Sequence, residues 1–363
     1  MNYNRKIITE DGDEYYGYAF GDTGDRVCEI VFNTSMAGYQ EIISDPSYTY
    51  QAVVMSYPLI GNYGIADDDY ETDVPTIGGL IVREYNDLPS NFRSKETLSE
   101  VMKRYNIPGI YGIDTRKLVR SIRDKGSRRV LLCNADMLKE EGIKLIENTP
   151  IPHDAVSKVS CKDVRKSPAE KPVCHIVAID CGMKKNIVRS LNERGCDVTV
   201  VPWNTSAWEI ERLSPDGVFI SNGPGDPEDV IPTINTIKQL IGKLPIFGIC
   251  LGHQIISLAY GAKTYKMKFG HRGGNHPVRN IATNKIEITS QNHSYAVDTE
   301  SLKNTPLSVT HINLLDNTVE GVENLSDRVF SVQYHPESAP GPRDSFYLFD
   351  KFIDIIKGGE KDA

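Results

Sequence analysis

The sequence has no apolar run approaching the roughly 20 residues that a helix needs to cross a bilayer, which argues against a membrane-spanning protein. Its opening, Met1-Asn2-Tyr3-Asn4-Arg5-Lys6, leads into acidic sequence and not into an apolar segment, so no secretory signal peptide is expected. Basic charge is not in excess. Lys and Arg number 41 against 49 Asp and Glu, a formal net charge of -8, which disfavours a nucleic-acid partner. The seven cysteines are scattered, with no C-x-x-C pair, and no H-E-x-x-H helix is present. Neither a disulfide framework nor a metal site is expected, and a cytoplasmic location is the simplest setting. There is no Walker-type G-x-x-x-x-G-K-[ST], and no internal repeat or low-complexity segment.

What is present is an ordinary globular composition, 39% hydrophobic and 25% charged, over 363 residues, enough for two domains. Residues 1–150 read as a mixed α/β domain. Strand-like runs at 15–20, 27–32, 51–56 and 79–82 are separated by turn residues, and helical patterns follow at 94–105, 114–125 and 136–147. Asp114 and Asp136 have the character of helix N-caps. Residues 151–171, with several prolines and charges and no sustained period, read as a linker. From 172 to 363 the pattern changes to strands alternating with helices: strand 175–180, helix 184–194, strand 197–202, helix 206–213, strand 217–221, helix 230–241 and strand 245–248. This alternation predicts an α/β fold with a doubly wound, mostly parallel sheet, whose ligands bind at the carboxyl ends of the strands. More β-like sequence and a final amphipathic helix at 345–356 complete the domain.

One cysteine stands apart. Phe247-Gly248-Ile249-Cys250-Leu251-Gly252-His253-Gln254 places G-x-C-x-G between an apolar strand and an apolar helix. This is the pattern of a nucleophile elbow with sulfur in place of oxygen. The glycines permit a tight turn, and the helix N-terminus favours negative charge on the side chain. Further on, Tyr334-His335-Pro336-Glu337 supplies an imidazole and a carboxylate. A thiol, a base and an orienting acid suit acyl transfer through a covalent intermediate. The Leu251 N–H follows the nucleophile directly, and Gly223 in Asn222-Gly223-Pro224-Gly225-Asp226-Pro227 can offer a second oxyanion donor. Taken alone that segment is an ordinary tight turn; its place after a buried strand leaves the two readings evenly matched. His293 is the nearest rival to His335 as the base.

The motifs S-N-G-P-G-D-P at 221–227, F-G-I-C-L-G-H-Q at 247–254 and Q-Y-H-P-E at 333–337 resemble those of the class I glutamine amidotransferases. F-N-T-S-M-A-G-Y-Q-E-I-I-S-D-P-S-Y at 32–48 narrows the resemblance to the small-subunit family of carbamoyl-phosphate synthase. So do I-D-T-R-K-L at 113–118, K-F-G-H-R-G-G-N-H-P-V at 268–278 and Q-N-H-S-Y-A-V at 291–297. The resemblance implies Cys250 as nucleophile, His335 as base and Glu337 as its orienting acid. It also implies glutamine contacts from Ser47, Gly223, Gly225, Leu251, Gln254, Asn292, Ser294 and Tyr295. Two positions depart from the usual pattern: Ser294 stands where glycine is common, and the turn after the first strand of this domain is Asp180-Cys181-Gly182, where D-F-G is frequent.

The function so implied is hydrolysis of L-glutamine through a cysteine thioester. The ammonia would pass to a large synthetase subunit, for arginine or pyrimidine biosynthesis. No cofactor is expected in this chain; ATP, bicarbonate and Mg are expected on the large subunit. Two alternatives stand beside it. A glutaminase subunit for another pathway is disfavoured by the motif at 32–48, and a catalytically dead scaffold is disfavoured by the intact Cys250, His335 and Glu337.

Overall fold

The structure is a computed structural model, and it describes residues 3–358. The chain divides into two compact units, Met1–Pro152 and His153–Ala363.

The first unit is built on a closed barrel. Its strands are β1 (Arg5–Thr9), β2 (Glu14–Gly21), β3 (Arg26–Asn33), β4 (Gln51–Met55), β5 (Gly79–Ile81), β6 (Pro108–Tyr111) and β7 (Arg128–Asn134), in the order β1-β2-β6-β5-β4-β3-β7. Parallel and antiparallel neighbours are mixed: β3 with β4 is parallel, whereas β3 with β7 is antiparallel. Closing the sheet removes the exposed edges that an open sheet would present. The unit also holds helices α1 (Leu98–Arg104), α2 (Thr115–Lys125) and α3 (Lys139–Asn148), of which the first two begin at side-chain caps. Thr97 and Glu100 form a capping box, and the Asp114 carboxylate accepts the Lys117 N–H at 3.0 Å. Asp136 does not cap α3, which begins three residues later, after Leu138.

The second unit holds one ten-stranded sheet. Its strands are β8 (Arg165–Ser167), β9 (Cys174–Asp180), β10 (Cys196–Pro202), β11 (Gly217–Ile220), β12 (Ile246–Ile249), β13 (Thr264–Asn280), β14 (Ile286–Val297), β15 (Ser308–Asn313), β16 (Val319–Asn324) and β17 (Val329–Val332). The order is β8-β10-β9-β11-β12-β17-β16-β15-β13-β14. The run from β10 to β17 is parallel, while β8 and the arm from β16 to β14 pair antiparallel. The sheet is therefore mixed, and the antiparallel arm is longer than the β-like sequence suggests. The stretch 151–171 carries a short helix, Ala155–Val159, and the edge strand β8, both in the second unit.

The parallel strands are buried along almost their whole length, as expected when both faces are covered. One face packs against α4 (Lys185–Asn192) and α8 (Tyr347–Ile356) through Ile187, Leu191, Phe349 and Phe352. The other packs against α5 (Ala207–Arg212), α6 (Ile231–Leu240) and α7 (Leu251–Ala259) through Ile210, Ile237, Ile255 and Ile256. Phe247 on β12 is fully buried, stacks on Phe330 at 4.3 Å and meets Phe219 edge-on at 5.3 Å. Phe247→Ala should lower the stability of the second unit by about 3–5 kcal/mol. Urea unfolding of the full chain checks this, and an unmoved midpoint for that unit would contradict the packing described.

Candidate active site

Four neighbouring parallel strands bring the site together at their carboxyl ends. The turn 180–184 follows β9, the loop 221–227 follows β11, Cys250 follows β12, and His335 lies three residues past β17.

Cys250 joins β12 to α7 with φ 55 and ψ -103. A non-glycine residue held there carries on the order of 1–3 kcal/mol of strain. Two hydrogen bonds fix it. Its N–H donates to Val332 O at 2.9 Å, continuing the β12–β17 ladder, and its carbonyl accepts the Gln254 N–H at 3.2 Å, starting the helix. The neighbouring glycines serve a different need from the conformational freedom that the motif suggests. A Cβ on Gly248 would lie 2.7 Å from the Gly252 carbonyl oxygen, and one on Gly252 would lie 2.3 Å from Ile220 O. They let α7 press onto β11 and β12, and the positive φ falls on the cysteine itself. Gly223 is likewise a close-approach glycine: a Cβ there would meet Cys181 O at 2.2 Å and Leu251 Cδ2 at 2.8 Å. Gly223 therefore packs closely against the Leu251 side chain. Gly225 has φ +88 and needs to be glycine for its conformation.

His335 and Glu337 are buried, and His335 Nδ1 lies 2.7 Å from Glu337 Oε1. The His335 N–H donates to Ser290 O at 2.9 Å, tying the segment to β14. The sequence reading missed a third charged group. Lys184, with a side chain 3% exposed, places Nζ 2.9 Å from Glu337 Oε1 and donates to Ser338 O at 2.8 Å. Asn186 also donates to Glu337 O. A buried lysine is rare unless paired. The available signal was positional: Lys184 lies in the turn after β9, at the same sheet end as the elbow.

The charges act on one another. Burial disfavours the imidazolium, but the Glu337 carboxylate and the Cys250 sulfur outweigh it and raise His335 to about 10. Burial also disfavours the Glu337 anion, but Lys184 and His335 hold it down to about 2. The rival histidines are placed otherwise. Burial lowers His253 to about 3, with its Nδ1 2.9 Å from Ser331 Oγ, and burial holds His293 well below the ordinary value. Cys181 in the departing turn is fully buried, and burial pushes its thiol upward, so it is packing and not a nucleophile.

Other residues from the sequence reading line the same region. The Cys250 thiol lies 3.6 Å from Asn292 O. Gln254 Nε2 donates to Tyr295 O at 2.8 Å and to Gln333 Oε1 at 3.0 Å. Ser294 Oγ accepts from Arg272. Ser47 belongs to the first unit, where it is buried and its N–H donates to Asp45 Oδ1 at 2.9 Å. Among the described residues His271, His293 and Glu320 are grouped closely enough to hold a metal. Their polar atoms already bond to Asp316, Gln291, Asn313 and the Tyr295 carbonyl. The group fits a hydrogen-bond network better than an ion.

Stability from a carboxylate with a depressed pKa is present above its unfolded value, near 4.5, and is lost as pH falls through about 2. Removing Lys184 raises that lower limit. Lys184→Met should therefore begin its acid loss of Tm at a higher pH than the wild type; superimposable acid limbs would contradict the pairing. His335 has a raised pKa, so its stabilising charge is complete below about 6.5 and is lost as pH rises through about 10. Its imidazole resonance should titrate near the upper value, and Cys250→Ser should lower that midpoint. A wild-type midpoint near 6.5 would refute the ion pair.

The chain matches two family models: "Glutamine amidotransferase class-I" over residues 177–355 and "Carbamoyl-phosphate synthase small chain, CPSase domain" over residues 7–132. It is 55% identical over 359 residues to the carbamoyl phosphate synthase small chain of Fusobacterium nucleatum, covering 99% of this chain and 100% of that one. It is 53% identical to the carbamoyl phosphate synthase small chain of Staphylococcus saprophyticus, covering 97% of this chain and 96% of the relative. It is also 51% identical to the carbamoyl phosphate synthase pyrimidine-specific small chain of Bacillus subtilis, covering 99% and 98%. With both models matched in order and relatives aligned end to end, the chain belongs to the carbamoyl-phosphate synthase small-chain family and carries a class-I glutamine amidotransferase domain.

Proposed function

We propose that this chain is the glutaminase subunit of a glutamine-dependent carbamoyl-phosphate synthase. The observation that carries the reading is the buried set Cys250, His335 and Glu337 at the carboxyl ends of adjacent parallel strands. Cys250 Sγ attacks the side-chain amide carbon of glutamine. The developing oxyanion is met by the backbone N–H groups of Leu251 and Gly223. The proton held by His335 goes to the leaving nitrogen, and ammonia departs. The neutral imidazole then takes a proton from water as it attacks the thioester, which releases glutamate and the thiol. Glu337, steadied by Lys184, keeps the imidazole oriented throughout. Gln254 commits its amide nitrogen to Tyr295 and Gln333, so it meets the substrate through its carbonyl oxygen. Gly225, Asn292, Ser294 and Tyr295 complete the glutamine site, and Ser47 is assigned to it by resemblance alone.

The ammonia passes to a large synthetase subunit, where ATP, bicarbonate and Mg are used, for arginine or pyrimidine biosynthesis in the cytoplasm. No cofactor is assigned to this chain. No helix among the described residues is long and apolar enough to cross a membrane. The five parallel strands with helices on both faces support a doubly wound core for the second unit.

Cys250→Ser should abolish glutamine hydrolysis while free ammonia still supports synthesis by the assembled enzyme, because a hydroxyl is a far poorer nucleophile at neutral pH. Glutamine-dependent activity within about tenfold of wild type in the serine variant would overturn the assignment. The isolated chain should hydrolyse glutamine slowly, and the large subunit with ATP and bicarbonate should accelerate it by adjusting the oxyanion donors. Steady-state rates with and without the partner test this; an isolated chain at the full coupled rate would refute the coupling and leave the triad standing.

A further inference from the structure

The pairing of β13 with β14, the strand that meets Cys250 through Asn292 O, contains an irregularity that none of the chemistry above uses. β13 pairs with β14 at Lys266↔Tyr295 and next at His271↔His293, so residues 267–270 stand opposite the single residue Ser294. Bulges of this kind re-aim a side chain or the backbone next to a functional site. Arg272 closes the bulge. Its guanidinium is buried, the residue being 3% exposed; Nη1 donates to Phe269 O at 2.7 Å, and Nη2 donates to Ser294 Oγ. Gly270, at φ +69, lies inside the loop so formed. A Cβ there would be 2.2 Å from His293 O, 2.7 Å from Arg272 Nη1 and 3.1 Å from Ser294 Cα. The clamped segment touches the elbow on both sides of Ser294: Asn292 O lies 3.6 Å from the Cys250 thiol, and Tyr295 O accepts from Gln254.

We propose that Arg272 is a positioning residue for the binding of the glutamine substrate. Bonded to the Ser294 hydroxyl and to the Phe269 carbonyl, it fixes the backbone of residues 292–295 as the wall of the substrate site. The inference rests on the glutaminase reading above. Ser294 brings a hydroxyl to a wall that must pack closely on the substrate. Without the bond from Arg272 the bulge can relax and carry residues 292–295 with it. With Arg272 in place the hydroxyl is tied to a buried cation, the stronger kind of hydrogen bond. The guanidinium suits the task because one planar group reaches both the Phe269 carbonyl and the hydroxyl in fixed geometry. The bonds to Phe269 and Ser294 act on the wall of the site and not on Cys250, His335 or Glu337, so their effect belongs to substrate binding and not to the chemical step.

The test compares the full chain with Arg272→Met, Arg272→Lys, Ser294→Ala and the double variant Arg272→Met with Ser294→Ala. Arg272→Met should raise the KM for glutamine about tenfold, the scale of one lost charge-assisted hydrogen bond, with kcat changed much less. Arg272→Lys should recover part of the loss. The double variant should be no worse than Arg272→Met alone, because each change removes the same contact. Alkylation of Cys250 by iodoacetamide, followed on its peptide, should proceed at the wild-type rate in Arg272→Met. A folded Arg272→Met with unchanged KM, a fall confined to kcat, or additive effects in the double variant would overturn the proposal. If Arg272→Met does not fold, Ser294→Ala alone must raise KM, and its failure to do so would be equally decisive. Calorimetric glutamine binding to the Cys250→Ser protein, with and without Arg272→Met, gives the comparison without turnover. Absence of hydrolysis in the wild type would strike the functional reading, whereas unchanged affinity would strike only this one.

Discussion

The candidate site depends on the backbone of one residue. Cys250 sits at φ 55 and ψ -103, where a side chain is strained, and it stays there because strand and helix each claim one of its peptide groups. The N–H belongs to the β12–β17 ladder and the carbonyl to the first turn of α7. Gly248 and Gly252 allow the two elements close enough to make both bonds. Strain of this kind persists only where the surroundings over-determine the conformation, and here they do so from two sides. The consequence is positional: the sulfur is lifted off the sheet at its carboxyl end, among the loops that follow β9, β11 and β17.

A second constraint is electrostatic. Glu337 and Lys184 are both withdrawn from water, which is tolerable only because they pair with each other and because His335 and Ser338 take further hydrogen bonds. The same contacts link the turn after β9 to the segment after β17, so the charge network also pins two loops that the sheet alone would leave apart. Placing the acid between a lysine and a histidine keeps it ionised, and an ionised acid holds its partner histidine in one tautomer. Orientation, charge and loop anchoring are therefore one arrangement. Arg272 is another buried cation, bonded across the β13–β14 bulge to the Phe269 carbonyl and the Ser294 hydroxyl.

Local pattern made the parallel core legible. The apolar runs at β9, β11 and β12 are short, nearly unbroken and separated by amphipathic helices, which is how strands buried on both faces read. The elbow was legible because G-x-C-x-G at a strand–helix junction has few other uses. Closure of the first unit into a barrel was not, since β1 meets β7 across more than a hundred residues and no local period records it. Nor was the length of β13 and β14: glycine-rich, polar and bulged, β13 lacks the alternation that marks a strand. β8, only three polar residues long, is an edge strand hidden in what reads as linker. Asp136 has a capping residue's chemistry, but the chain turns once more before α3 begins. Lys184 escaped because a lysine at a helix start is ordinarily solvated; only the sheet topology brings it to Glu337.

The most direct test of the account is to acid-quench the chain during glutamine turnover and map where the substrate is attached. The peptide carrying Cys250 should gain the mass of one glutamyl group, with the adduct lost on treatment with hydroxylamine as a thioester requires. Hydrolysis that proceeds with no adduct on Cys250, or with the glutamyl group on any of the other six cysteines, would contradict it.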